Sequence, residues 1–283
     1  MPLRRNARIS WACLLFLVSG CAEFASSSTN PIRADVESWA AERGFQADSI
    51  TAGQFEVFSL LRKTAASSDL AVYIEGDGAG WPSIFAPPRD PTPHLSTVLQ
   101  LASSDASAAV AYLGRPCQYL SDNARGRCGS HYWNERRFST EVLRSMSAAI
   151  DDLKRRSGAR STSLIGYSGG GVVAALLAME RNDVTNLITI AAPLALSDWA
   201  AIKKLTPFDD SSDPYQRRRS PIIGAATHFA GSKDDVVPSS IVKRFVDAQG
   251  GRLLIMEGYD HQCCWVEAWP TLLRRAGIKE VVQ

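Results

Sequence analysis

The 283-residue chain carries almost no net charge, few histidines and no repeat or low-complexity tract. A formal charge of +2 gives no electrostatic basis for a nucleic-acid partner. The chain has four histidines and six cysteines, with no C-x-x-C pair and no clustered His and acidic residues. That argues against a structural zinc site and against a metal-dependent hydrolase, so no metal and no cofactor is expected. With 45% hydrophobic residues, the chain can bury a sizeable core.

The amino-terminal apolar run, residues 11–18, is too short to span a bilayer, but it follows Arg4, Arg5 and Arg8. A basic segment before a short apolar run is the pattern of a secretory signal. The run ends in Val18-Ser19-Gly20-Cys21, which resembles a bacterial lipobox, in which cleavage precedes a cysteine that is then acylated. This implies a lipid anchor at Cys21, stable because each buried methylene contributes about 0.8 kcal/mol. Ordinary cleavage nearby, with Cys21 incidental, is the alternative. Ala22 after the cysteine implies, by resemblance to Gram-negative sorting, an outer-membrane location facing the periplasm. The expected organisation is therefore a signal segment (1–20), a lipidated cysteine with a Ser/Thr/Asn-rich tether (21–31) and one folded domain (32–283).

Within that domain, apolar segments alternate between the strand and helix periods. Residues 32–43 form a first helix and 55–61 a strand, and 70–74 read as a strand buried on both faces. This last strand stops in Glu75-Gly76-Asp77-Gly78-Ala79-Gly80-Trp81, a backbone-rich loop. Five prolines between 82 and 93 make that stretch irregular. A short helix (96–103) and a strand (108–113) follow. Residues 114–137 read as a basic, aromatic loop, after which Ser139 caps a helix with one apolar face. A strand (161–165), a helix (172–179), strands at 187–191, 227–230 and 253–256, and a helix at 265–276 complete the series. Strands alternating with helices argue for one α/β domain on a parallel sheet.

The chemistry centres on Gly166-Tyr167-Ser168-Gly169-Gly170, between an apolar strand and a helix. Gly166 and Gly170 have no Cβ to clash where strand, turn and helix pass close together, which lifts the Ser168 hydroxyl to a helix N-terminus. Chance alone produces G-x-S-x-G in roughly one chain in ten of this length, so partners elsewhere must decide. A serine hydroxyl is a poor nucleophile without a base. Two histidines follow Ser168. His228 lies inside a strand and reads as a packed core side chain. His261 lies just past a strand end, where active sites of open parallel sheets gather. The segment from Gly231 to Pro238, past the preceding strand, offers a carboxylate to orient that imidazole.

At these residues the chain resembles the α/β-hydrolase superfamily. Gly166-Tyr167-Ser168-Gly169-Gly170 resembles its nucleophile elbow, Gly231-x-x-Asp234-x-x-Val237-Pro238 its acid loop, and His261 the histidine after the last strand. The pairing of Glu75-Gly76-Asp77-Gly78 with Arg115-Pro116-Cys117-Gln118 also resembles a group of bacterial exported hydrolases without a defined substrate. The resemblance implies a three-layer fold, with a mostly parallel central sheet flanked by helices and a small cap or none. It implies Ser168, Asp234 and His261 as the catalytic residues of a serine hydrolase on small carboxylic esters. The oxyanion hole would combine the Gly169 amide with that of Asp77 or Gly78. An Asp77 carboxylate would oppose an oxyanion unless it points away or pairs, for instance with Arg115. Amide hydrolysis or acyl transfer on the same fold, and a non-catalytic envelope lipoprotein with a binding or scaffold role, are the competing functions.

Three secondary expectations complete the reading. Leu194, Trp199 and Trp81 are candidates for an acyl-pocket wall, with ordinary core packing as the alternative. Cys117, Cys128, Cys263 and Cys264 allow three pairings in an oxidising compartment. The local pair Cys117–Cys128 is preferred, and crossed pairs would lash the His261 loop to the basic loop. Arg115, Arg125, Arg127, Arg136 and Arg137 read as a solvated basic face, or else a surface for an acidic substrate or lipid headgroups.

Overall fold

The computed structural model describes residues 30–79, 88–94, 96–209, 212–218 and 220–278. Cys21, the signal and nearly all of the tether, and Gly80 and Trp81, lie outside them. Helix α1 (Pro31–Ala41) opens with Pro31 in its first turn, where a missing N–H costs nothing, and the Asn30 side chain accepts from the Ile32 and Arg33 amides. Strands β1 (Gln46–Ala52), β2 (Phe55–Lys63) and β3 (Asp69–Ile74) follow, then α2 (Thr97–Ser103), β4 (Ala109–Leu113), α3 (Asp122–Cys128) and α4 (Thr140–Ser157). The chain continues through β5 (Ser161–Tyr167), α5 (Gly169–Glu180), β6 (Val184–Ile190), α6 (Leu196–Lys203), α7 (Pro221–Ala225), β7 (Thr227–Gly231), α8 (Ser239–Gln249), β8 (Arg252–Met256) and α9 (Trp265–Arg275).

All eight strands join one sheet in the order β1-β2-β4-β3-β5-β6-β7-β8. Strand β2 runs antiparallel to β1 and β4, and every other neighbouring pair is parallel. Because strand side chains alternate, each buried strand feeds two cores. Leu70, Val72 and Ile74 of β3 enter one core with α4, α5 and α8. Ala71 and Tyr73 enter the other with α1, α2 and α9. This gives the three layers. The continuous apolar run of β3 is the consequence of being covered on both faces.

The helices differ in how far they sink into these layers. In α4 the buried residues Val142, Leu143, Met146, Ile150 and Leu153 recur at helical spacing, with Ser139 as its cap. Residues Gly169 to Ala178 of α5 are all buried, so that helix is packed on every side. Strand β1 and helices α6, α7 and α8 were not legible in the sequence. Strand β1 is half-exposed and polar, and α8 has only four buried residues. The stretch 114–137, expected to be loop, contains α3, capped by Ser121, and a 3-10 turn (Ser130–Trp133). Between β6 and β7, Leu196, Trp199 and Ala200 of α6 are buried in the domain itself. Among the described residues no helix is long and apolar enough to cross a membrane.

His228 is fully buried on β7, with Nδ1 2.8 Å from the Thr189 hydroxyl and its ring edge-on to Phe245. Burial lowers its pKa from the ordinary 6.5 to about 3. The folded state therefore excludes a proton that the unfolded chain binds below pH 6.5, and stability falls as the solution is acidified through that window. Urea unfolding of the wild type should lose about 1.4 kcal/mol per pH unit from this group as pH drops from about 6.5 towards 3. His228→Gln should show a correspondingly shallower loss between pH 7 and 5.

Candidate active site

Strand β5 ends at Tyr167 and α5 begins at Gly169, leaving Ser168 alone on the turn between them. Its φ of 51° and ψ of −126° lie where residues with a Cβ are rarely found. Such a conformation costs about 1–3 kcal/mol and persists only where its surroundings dictate it. Here they do. A Cβ on Gly166 would lie 2.3 Å from the Gly170 carbonyl oxygen, and one on Gly170 would lie 2.2 Å from that of Ile74 and 2.5 Å from that of Glu75. The end of β3, the turn and the start of α5 are thus in backbone contact. The Ser168 amide is tied to the Ile190 carbonyl at 2.8 Å, and its side chain caps nothing, so the hydroxyl projects free of the helix.

Two loops from neighbouring strands converge on that hydroxyl. After β7, Asp234 accepts from the Val236 and Val237 amides at 2.9 and 2.8 Å through Oδ1. Its side chain is fully buried, and Oδ2 lies 2.9 Å from His261 Nδ1. After β8, His261 brings Nε2 to 3.1 Å from Ser168 Oγ. An ionised carboxylate only accepts, so Nδ1 carries the proton and Nε2 is left to accept from the hydroxyl. This chain of atoms can pass the serine proton to the imidazole and stabilise the resulting cation. The His261 carbonyl is itself held, accepting from the Tyr167 hydroxyl at 2.7 Å and from Trp265 Nε1 at 3.1 Å. Burial, with the Asp234 charge second, raises the Tyr167 pKa, so the phenol remains a neutral donor. A Cβ on Gly231 would meet the Tyr259 carbonyl at 2.4 Å, and that close approach brings the Asp234 and His261 loops together.

The loop after β3 also reaches the serine. A Cβ on Gly76 would lie 3.6 Å from that of Ser168. Neither the Asp77 nor the Gly169 amide has a hydrogen-bond acceptor among the described residues. Glu75 is buried and accepts from the Gly76 amide at 2.8 Å, the Tyr112 hydroxyl at 2.7 Å and the Ser96 hydroxyl. Burial pushes its carboxyl pKa up, and these three donors oppose that rise. Gly78 has φ of 87° and packs against Pro91 and Gln118, where no Cβ fits. Gln118 binds both sides, donating to the Gly76 carbonyl at 3.2 Å and accepting from the Arg115 amide at 2.9 Å.

Asp77 is paired, and with two arginines. Its carboxylate lies 3.0 Å from Arg137 Nε and 3.5 Å from Arg115 Nη1. Both arginines are buried, so the expected solvated basic face is corrected at these two positions. Arg125 instead pairs with Asp90 and Asp122, Arg136 with Glu141, and Arg127 donates to Asn123. Only a shallow cleft adjoins the cluster, lined by residues including Asp77, Arg115, Trp133 and Arg137. Cys117 is bonded to Cys128, tying α3 to the Arg115 loop, and Cys263 to Cys264, next to His261. Leu194 and Trp199 belong to the core, Trp199 donating to the Val236 carbonyl at 2.7 Å beside the Asp234 loop. Among the described residues no group of His, Cys, Asp or Glu is arranged to hold a metal. Neither the Arg137–Asp77 pair nor the support of His261 by Tyr167 and Trp265 was anticipated, because each depends on tertiary placement.

No family model and no curated protein matches the sequence. Solved structures do match. Est1E from Butyrivibrio proteoclasticus, with ferulic acid bound, aligns at a TM-score of 0.59 and 15% identity, over 84% of this chain and 100% of that one. The esterase Pf2001 of Pyrococcus furiosus aligns at 0.56 and 13%, over 83% and 91%. A Xanthomonas campestris α/β serine hydrolase described as lacking a lid aligns at 0.52 and 15%, over 82% and 94%. The chain has the α/β-hydrolase fold. In that fold the turn after β5, the loops after β7 and β8 and the loop after β3 share one edge of the sheet. Their convergence on Ser168 follows from the strand order.

The backbone contacts at the turn give a direct test. Gly170→Ala should destabilise the protein by at least about 2 kcal/mol in urea unfolding, since only backbone surrounds the new Cβ. Gly126→Ala, on α3 with open space around it, should be neutral or stabilising.

Proposed function

We propose that this protein is a serine hydrolase of small carboxylic esters. The observation that carries the reading is the relay from Ser168 Oγ through His261 to Asp234, at 3.1 and 2.9 Å. In this reading Ser168 attacks the ester carbonyl while His261 Nε2 takes its proton. The negative charge that forms on the carbonyl oxygen is received by the Gly169 amide and by that of Asp77 or Gly78. His261 then returns its proton to the leaving alcohol. Water, deprotonated by the same imidazole, releases the acid from Ser168. Asp234 holds the productive tautomer and offsets the imidazolium charge. Ester substrates are favoured over amides by the company of the fold, which includes the Pyrococcus esterase.

A fluorophosphonate probe should label the folded wild type at one residue, and Ser168→Ala should take none. Asp234→Asn should lower kcat on p-nitrophenyl butyrate by about 10³- to 10⁴-fold by misorienting the imidazole. Failure of the wild type to label while folded, or undiminished labelling of Ser168→Ala, refutes the reading. Turnover of matched anilides above that of the esters would move the substrate class to amides.

We also propose that residues 1–20 direct export and that Cys21 is acylated, which would tether the enzyme to the bacterial envelope. Metabolic labelling with a palmitate analogue should mark the wild type and leave Cys21→Ser unmarked. Equal labelling of both would remove the anchor from the account.

A further inference from the structure

We infer that Arg137, held in place by Arg115, is a positioning residue for the proposed reaction: its guanidinium offsets the Asp77 carboxylate, so that the Asp77 and Gly169 amides can receive an oxyanion. The inference rests on the ester-hydrolase reading and deepens it at the one place where the site works against itself.

The difficulty is electrostatic. A Cβ built on Gly169 would lie 2.0 Å from Asp77 Oδ1, so the carboxylate rests against the first residue of α5. A negative charge there repels the charge that develops when Ser168 attacks. The fold places two cations against it. Arg137 Nε stands 3.0 Å from Oδ2 and Arg115 Nη1 3.5 Å from Oδ1. Two guanidiniums thus face one carboxylate beside the amides, while the buried Glu75, held by three neutral donors, also lies in the field of Arg115.

Both arginines are built in. They are 4% and 7% exposed, and Arg115 Nη2 donates to the Arg137 carbonyl. Their guanidiniums lie over the Phe138 ring at 5.4 and 5.3 Å, and Arg137 also lies over Phe208 at 4.6 Å. Burial lowers Arg115 to about 10, which leaves it cationic at neutral pH. Packing alone does not require this, since a buried ion cluster is often no more stable than apolar side chains of the same volume. Arg137 makes the closer approach to Asp77, and Arg115 fixes the backbone from which it reaches.

The test is a double-mutant cycle on the full-length protein with p-nitrophenyl butyrate, joined to the affinity of an alkylboronic acid, whose serine adduct is anionic and tetrahedral. Arg137→Gln should lower kcat by about a hundredfold with KM within about threefold, and boronate affinity should fall in parallel. Arg137→Lys, which keeps the charge, should recover most of the loss. In an Asp77→Asn background the same Arg137→Gln step should cost less than about tenfold, because the charge to be offset is gone. Arg137→Met keeps the packing between Phe138 and Phe208 and reads the same cycle if the glutamine variant does not fold. Equal costs in the two backgrounds, or a loss that follows thermal stability with boronate affinity unchanged, overturn the inference. A wild type that turns over no ester and takes no fluorophosphonate overturns the reading beneath it, and this inference with it.

Discussion

Gly166 and Gly170 let three pieces of backbone meet at distances that no side chain would tolerate, and the rest of the site is hung on that contact. With the end of β3 pressed against the start of α5, the turn between β5 and α5 has no room to relax, and Ser168 is held in a conformation it would not choose. The same contact brings the loop after β3 beside the serine. One steric condition thus sets the position of the hydroxyl and of the amides beside it. The buried α5 supplies the rigidity, since a helix packed on every side cannot swing away.

Around this frame every carboxylate has been given partners suited to its place. Asp234 receives two backbone amides through one oxygen and an imidazole through the other. Glu75 receives three neutral donors, which fix the end of β3. Asp77, nearest the start of α5, receives full positive charges. Hydrogen bonds suffice where a carboxylate only anchors a loop. Countercharge appears where a negative charge adjoins groups that could receive another.

Much of this was legible in the chain. The G-x-S-x-G turn and the buried strands announce themselves through glycine spacing and apolar runs, which are local properties. Asp234 and His261 could be singled out because each lies a few residues past a strand end, where a parallel sheet collects its loops. Strand β1 was not legible, because its outer face meets solvent and its residues (Gln46, Asp48, Ser49) carry no apolar alternation. Arg137 looked like one basic residue among five, and only the folded chain shows it and Arg115 turned inward onto Asp77 while their neighbours pair elsewhere. Long-range pairing of charges leaves no periodic trace. The cysteines allowed three pairings, and the preferred local bond between Cys117 and Cys128 is the one formed.

The hydroxyl of Ser168 and the imidazole of His261 are 93 residues apart along the chain, and His261 and Asp234 are 27 apart. The loop after β3 lies earlier still, and no local segment contains more than one of these parts. The proposed relay therefore depends on the last strand and on α9, whose Trp265 helps hold the His261 carbonyl. A chain stopped short of its final forty residues would keep the sequence of the serine turn and lack His261 and all of β8 and α9.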